Sequence, residues 1–197
     1  MTTFDRLDLL FEKKNGILKT AQALENGISK QALYDYVEKR GIERAAHGVY
    51  MATEYWADAM YLLHLRCSQA VFSHESALYF HDLTDREPFQ YTVTVKTGYN
   101  PSVLKADGTK VYTIKKDLHD VGIVTMKTPF GNEVPVYDAE RTICDIVRSR
   151  SGIEAQVFQD ALRQYARRRE KDLRRLMHYA QLFRVERTLR QYMGVLL

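Results

Sequence analysis

Apolar residues first recur at helical spacing. Phe4, Leu7, Leu10 and Phe11 share one face of a helix that Asn15-Gly16 ends. Thr20 is placed to cap a short second helix, TAQALEN, which stops at Gly27, where a positive φ is usual. Ser29 caps a third helix from Lys30 to about Arg40, and Gly41 stops it. Two short runs, IERA and VYMA, flank Ala-His-Gly and predict a tight hairpin. From 55 to 80 the pattern is again helical, with Trp56, Met60, Leu63, Ala77, Leu78 and His81 on its periodic face. Val71-Phe72 is a short break in that run, after which Ser73 serves as a new N-cap.

The period then changes. In YTVTVKT, Tyr91, Val93 and Val95 alternate with Thr92, Thr94 and Lys96, the pattern of a half-buried strand. Asp107-Gly108 and Gly131-Asn132 predict hairpin turns among strands over 111–114, 122–127 and 133–137. Asp138 caps a helix carrying Ala139, Ile143, Ile146 and Val147. After Gly152 three helical stripes follow: Val157, Phe158, Ala161, Leu162, Tyr165; then Leu173, Leu176, Met177, Ala180, Phe183; then Val185, Leu189, Tyr192, Leu196. Leu182 is the exception, an apolar residue on the polar side of its helix. The expected fold class is α+β: an N-terminal winged helix-turn-helix over 1–54, then a mixed α/β domain over 55–197 with a small sheet and a C-terminal helical bundle.

Composition fits a globular chain, with 45% hydrophobic, 27% charged and 11% aromatic residues among 197. Apolar runs fall well short of the roughly 20 residues that span a bilayer. The opening MTTFDRLDLLFEKK lacks the layout of a signal peptide. Cys67 and Cys144 lie in apolar-periodic segments and form no CxxC pair, as expected of buried free thiols in a reducing cytoplasm. We therefore expect a cytoplasmic protein without a membrane partner.

Charge is distributed unevenly. Between Arg163 and Arg190 stand nine Arg and one Lys against Glu170, Asp172 and Glu186, a local +7 in a chain of net +4. Met1 to Ala52 holds eight basic residues against seven acidic ones. The basic character therefore lies at the C-terminus.

Three short helices and a hairpin match a winged helix-turn-helix. The few residues around Gly27 force the second and third helices to cross steeply. Ala32, Leu33, Tyr36 and Val37 face the core, and Lys30, Gln31 and Tyr34 project from the first turns, where a recognition helix meets base edges. Lys donates to guanine, Gln pairs with adenine, and Tyr34 reaches phosphate or a base. Arg44 and His47 at the hairpin are placed to touch the neighbouring backbone. Lys19, Thr20 and Ser29, at the helix starts, complete the N-terminal candidates. The plainer reading is a structural or protein-docking module, and Asp35 and Glu38 on the third helix count against close approach to phosphate.

Those residues carry a family resemblance. GILKTAQALENGISKQALYDYVEKRGIERAAHGVYMA, AVFSHESALYFHDLTD and VYDAERTICDIVR occur in this order and resemble the AbiEi antitoxin family of abortive-infection toxin–antitoxin systems, which act in phage defence. The resemblance implies a winged-helix DNA-binding domain followed by an antitoxin domain. It also implies a repressor of its own operon that binds inverted repeats. The implied target is a nucleotidyltransferase-like toxin, countered without a stable complex, the type IV arrangement. Spacing and composition say nothing of that toxin.

No catalytic constellation stands out. HESALYFHD fails HExxH because position 78 is Leu, and its serines lack a GxSxG elbow. A capped structural helix is the expected reading of His74 and Glu75. Asp138 and Glu140 suit a helix N-terminus, and Arg141 with Asp145 reads as an ordinary i,i+4 pair. We expect no enzyme, metal or cofactor; the alternatives are a nuclease, an RNA-modifying enzyme or an RNA-binding module.

At about 100° per residue, Arg163, Arg167, Lys171, Arg174, Arg175, His178, Arg187 and Arg190 fall opposite the C-terminal apolar stripes. Glu170–Arg174 and Glu186–Arg190 are spaced for weak i,i+4 pairs. A solvated face needs less charge than this, so Arg163, Arg167, Lys171, Arg174 and Arg175 are candidate phosphate contacts.

Overall fold

The structure, a computed structural model, describes residues 1–196, with side chains described through Gly194. Its contacts divide the chain into two units, Met1–Cys67 with Thr128–Asn132, and Ser68–Lys127 with Glu133–Leu197.

In the first unit, α1 (Thr3–Lys13), β1 (Ile17–Lys19), α2 (Thr20–Glu25), α3 (Lys30–Arg40), β2 (Glu43–Ala46), β3 (Val49–Met51) and α4 (Ala59–Arg66) follow in order. The strands form an antiparallel sheet in the order β1-β3-β2, with Tyr50 opposite Leu18 on one side and Arg44 on the other. Leu7, Phe11, Leu18, Ala23, Ile28, Leu33 and Tyr36 make its core. β1 is absent from the sequence reading, since three residues are too few to display alternation.

Thr20 does not cap α2. It is the first helical residue, and the extended Lys19 holds the cap position, its N–H donating to Gln22 Oε1 at 2.9 Å. The Thr20 N–H instead donates to Gly48 O at 2.8 Å, tying α2 to the hairpin turn.

This unit extends past residue 54. Leu62 of α4 packs with Ile17 and Val49, and Arg66 donates from Nε and Nη2 to Ala45 O. Asp58 caps α4 through Tyr61 N, and its other oxygen accepts from Thr128 Oγ1 and Asn132 Nδ2. Trp56 lies outside any helix and is exposed.

The second unit is built on β4 (Val71–Phe72), β5 (Thr92–Lys96), β6 (Lys110–Ile114), β7 (Ile123–Lys127) and β8 (Glu133–Tyr137), in the order β6-β5-β4-β8-β7. The Val71-Phe72 break is thus the central strand. β7 and β8 form the expected hairpin, but β5 and β6 run parallel. A parallel pair needs a crossover, and α6 (Ser102–Ala106) supplies it. Asp107-Gly108 ends that helix rather than turning a hairpin: Gly108 has φ +79, and Thr109 N closes on Leu104 O.

β5 is buried on both faces, not one. Its threonines tolerate this because each hydroxyl has a partner: Thr94 Oγ1 donates to Ser73 Oγ, and Thr92 Oγ1 donates to Ser73 O while accepting from Ser76 N.

α5 (His74–Phe80) and the short α7 (Lys116–His119) connect strands, and α8 (Ala139–Arg148) is buried from Ala139 to Val147. α9 (Ala155–Arg167), α10 (Leu173–Leu182) and α11 (Glu186–Leu196) share one core with α8. Two stripe assignments change: Leu173 and Tyr192 are exposed, and Met193 is buried instead. The side chain of Leu196, assigned to the third stripe, lies outside the described residues. Leu182 is exposed as its position predicts. Among the described residues no helix is long and apolar enough to cross a membrane.

Candidate nucleic-acid interface

The third helix is aimed by its ends and its buried side. Gly27 at φ +72 admits the sharp turn after α2, Ile28 is buried beneath it, and Ser29 Oγ accepts from Ala32 N at 3.2 Å. Leu33 and Tyr36 anchor α3 in the core, where Tyr36 meets the Phe4 ring edge-on at 5.1 Å and stacks on Phe11 at 5.8 Å. Tyr36 and Arg40 both bond Asp8, and burial with that carboxylate pushes the Tyr36 hydroxyl pKa up. These contacts fix the rotation of the helix, leaving Lys30, Gln31 and Tyr34 exposed on its first turns.

Gln31 is not loose. Its Nε2 donates to Asp35 Oδ1 at 2.8 Å. One amide proton and Oε1 remain, the pair that a bidentate adenine contact uses. Asp35, read from the sequence as an obstacle to phosphate, positions the Gln31 amide. The four-residue spacing carried that signal. Tyr34 lies against Tyr50 with ring centroids 6.3 Å apart.

On the wing, Gly48 turns at φ +67, and Arg44 Nη2 donates to His47 Nδ1 at 2.9 Å. An arginine can only donate, so His47 Nδ1 is the acceptor in this contact. Arg44 Nε also reaches Ala46 O at 3.4 Å. Both side chains are exposed at the turn. Lys19 and Thr20 are half-buried, with both backbone N–H groups engaged within the unit.

The C-terminal candidates occupy helices of the second unit. Arg167 and Arg174 are exposed, and Arg163 stands 3.6 Å from Asp160. Lys171 Nζ donates to Arg168 O, while Arg175 faces Asp172 at 3.7 Å and Asp138 at 4.0 Å. Arg190 pairs with Glu186 as its spacing predicts. Glu170 lies in the turn before α10, so helical spacing does not bring it to Arg174.

The polar clusters weighed for catalysis are built into packing. His74 is fully buried, bridging Ser73 and Ser149 at 3.0 Å each and stacking on Tyr112 at 3.5 Å. His81 Nε2 donates to Tyr137 O. Arg141 and Asp145 are no ordinary surface pair, for neither has any exposed side chain. Arg141 lies between the Tyr137 and Phe183 rings, 3.9 and 4.1 Å from their centroids, and donates to Leu118 O and Val121 O. Glu140 accepts from Tyr165 OH and Asp172 N.

The crystal structure of RV2827C protein from Mycobacterium tuberculosis is similar in fold, with a TM-score of 0.60 at 14% identity over 100% of this chain and 81% of that one. No curated protein sequence matches the chain. A family model described as "Transcriptional regulator, AbiEi antitoxin" matches residues 5–53, which span the helix-turn-helix and its wing. Residues 5–53 are thus similar to the AbiEi antitoxin transcriptional regulators, and the match is confined to that segment.

Proposed function

We propose that the chain is an autorepressing antitoxin that reads inverted repeats in its own operator through α3. Lys30, Gln31 and Tyr34 meet base edges while Arg44 and His47 touch the adjacent backbone. The observation that carries this is the exposed first turn of α3, fixed by its buried side and set within the segment that matches the regulator family. The winged helix is close to neutral, so the exposed C-terminal Arg face is assigned the sequence-independent phosphate affinity. By the same family logic it counters a nucleotidyltransferase-like toxin without a stable complex.

The test is binding to DNA from upstream of its reading frame, measured by footprinting and anisotropy against a scrambled duplex. Gln31→Ala should cost about 1–3 kcal/mol on the native site, with little change on scrambled DNA. Equal affinity for both duplexes in the unmodified protein would refute sequence reading. Co-expression with a candidate nucleotidyltransferase-like toxin tests the antitoxin part, which fails if growth is not restored.

A further inference from the structure

The parallel strands β5 and β6 end together at Lys96 and Ile114. Beyond those ends lies a groove of about 480 Å³, within the size range of small-molecule sites. In sheets with parallel strands, ligands bind outside the carboxyl ends. Three cations line this groove, Lys115, Arg148 and Arg184, against one acid, Asp117. Thr113 adds a hydroxyl at a strand end, while the Thr97 hydroxyl already donates to Ile114 O at 2.9 Å.

Two of the cations are placed with unusual constraint. Arg148 is held 3.1 Å from the fully buried Asp145, with its guanidinium 5.8 Å from the Phe183 ring centroid. Arg184 follows the end of α10 with φ +58, where Val185 N closes on Ala180 O at 2.8 Å. That position favours glycine, yet an arginine occupies it and lines the groove. Leu182, the apolar residue off its helical stripe, supplies an exposed apolar wall.

An anion with a flat apolar part satisfies all of these features. We propose that the groove binds a nucleotide, free or as the phosphorylated end of an RNA, with its phosphate on Arg148, Arg184 and Lys115 and its base against Leu182. This site is separate from the readers on α3 and does not depend on the operator reading.

The experiment is calorimetric titration of the full chain with the four nucleoside monophosphates, a nucleoside and inorganic phosphate. At least one nucleotide should bind one to one, with nucleoside and phosphate tenfold or more weaker. Arg148→Gln and Arg184→Gly should each weaken binding at least tenfold. Arg184→Gly should also raise Tm, since glycine is relaxed at that φ, which separates lost binding from lost folding. Absence of saturable binding at millimolar nucleotide, phosphate binding as tightly as the nucleotide, or unchanged affinity in Arg184→Gly would each overturn the site. A short 5′-phosphorylated oligoribonucleotide distinguishes the sources. Displacement of the mononucleotide identifies an RNA end, and failure to displace it identifies a free nucleotide; either supports the site.

Discussion

His74 has no exposed surface and sits at φ +48, its ring flat against Tyr112 and both nitrogens on serine hydroxyls. Ser73, which also receives the Thr94 hydroxyl, and Ser149 satisfy a neutral imidazole fully, one nitrogen donating and the other accepting. Burial, reinforced by Arg148, Lys110 and Arg141, lowers its pKa well below the usual histidine value, and burial also lowers His81 and His64. Below about pH 6.5 the unfolded chain takes up these protons more readily than the folded chain does. Stability therefore rises with pH in this window and falls on acidification, by up to about 1.4 kcal/mol per pH unit for the fully buried His74 and by less for the others. Thermal melts between pH 7.5 and 5 should show Tm falling, with a shallower fall in His74→Gln. An unaltered slope in that variant would assign the acid sensitivity to other groups.

At the scale of elements, α3 depends on its cap. Ser29→Ala removes the acceptor for Ala32 N and should cost about 1 kcal/mol, visible as a Tm lower by several degrees, with weaker operator binding. An unchanged melt would show that packing of Leu33 and Tyr36 alone sets the helix. This cap was legible in the sequence, as were the Gly41 stop and the Asp138 cap of α8, because each rests on neighbours in the chain. Residues 71–72 were not legible as a strand. Their partners, β5 and β8, come later in the chain, and nothing local distinguishes a two-residue strand from a helix break. The parallel pairing of β5 and β6 was hidden for a related reason. A glycine ending a helix and one turning a hairpin share the same positive φ, so Asp107-Gly108 fits either. At the candidate interface, exposure of Lys30, Gln31 and Tyr34 followed from helical period. The Thr20 contact with Gly48 depends on a hairpin far along the chain.

Across the whole molecule, the separation of the proposed base contacts from the surplus charge sets a measurable expectation. Residues 1–52 are almost balanced, whereas 163–190 hold the surplus. Some of that surplus is already answered, since Arg175 faces two aspartates and Arg190 a glutamate. Arg167 and Arg174 are exposed, and Arg163 has only a loose 3.6 Å contact with Asp160 at the surface. Solvent-exposed contacts of that kind contribute about 0–1 kcal/mol, too little to hold Arg163 back from phosphate. Each phosphate neutralised contributes about 0.9 to the slope of log affinity against log salt. Replacing Arg163, Arg167 and Arg174 together with Gln should thus flatten that slope by up to about 3 units and weaken operator and scrambled DNA alike. Gln31→Ala should leave the slope unchanged while narrowing the gap between the two duplexes, because a base contact releases no counterion. Anisotropy titrations from 50 to 300 mM salt separate these effects. A triple variant with an unaltered slope would place the C-terminal arginines away from DNA and leave the near-neutral winged helix as the sole candidate for DNA contact.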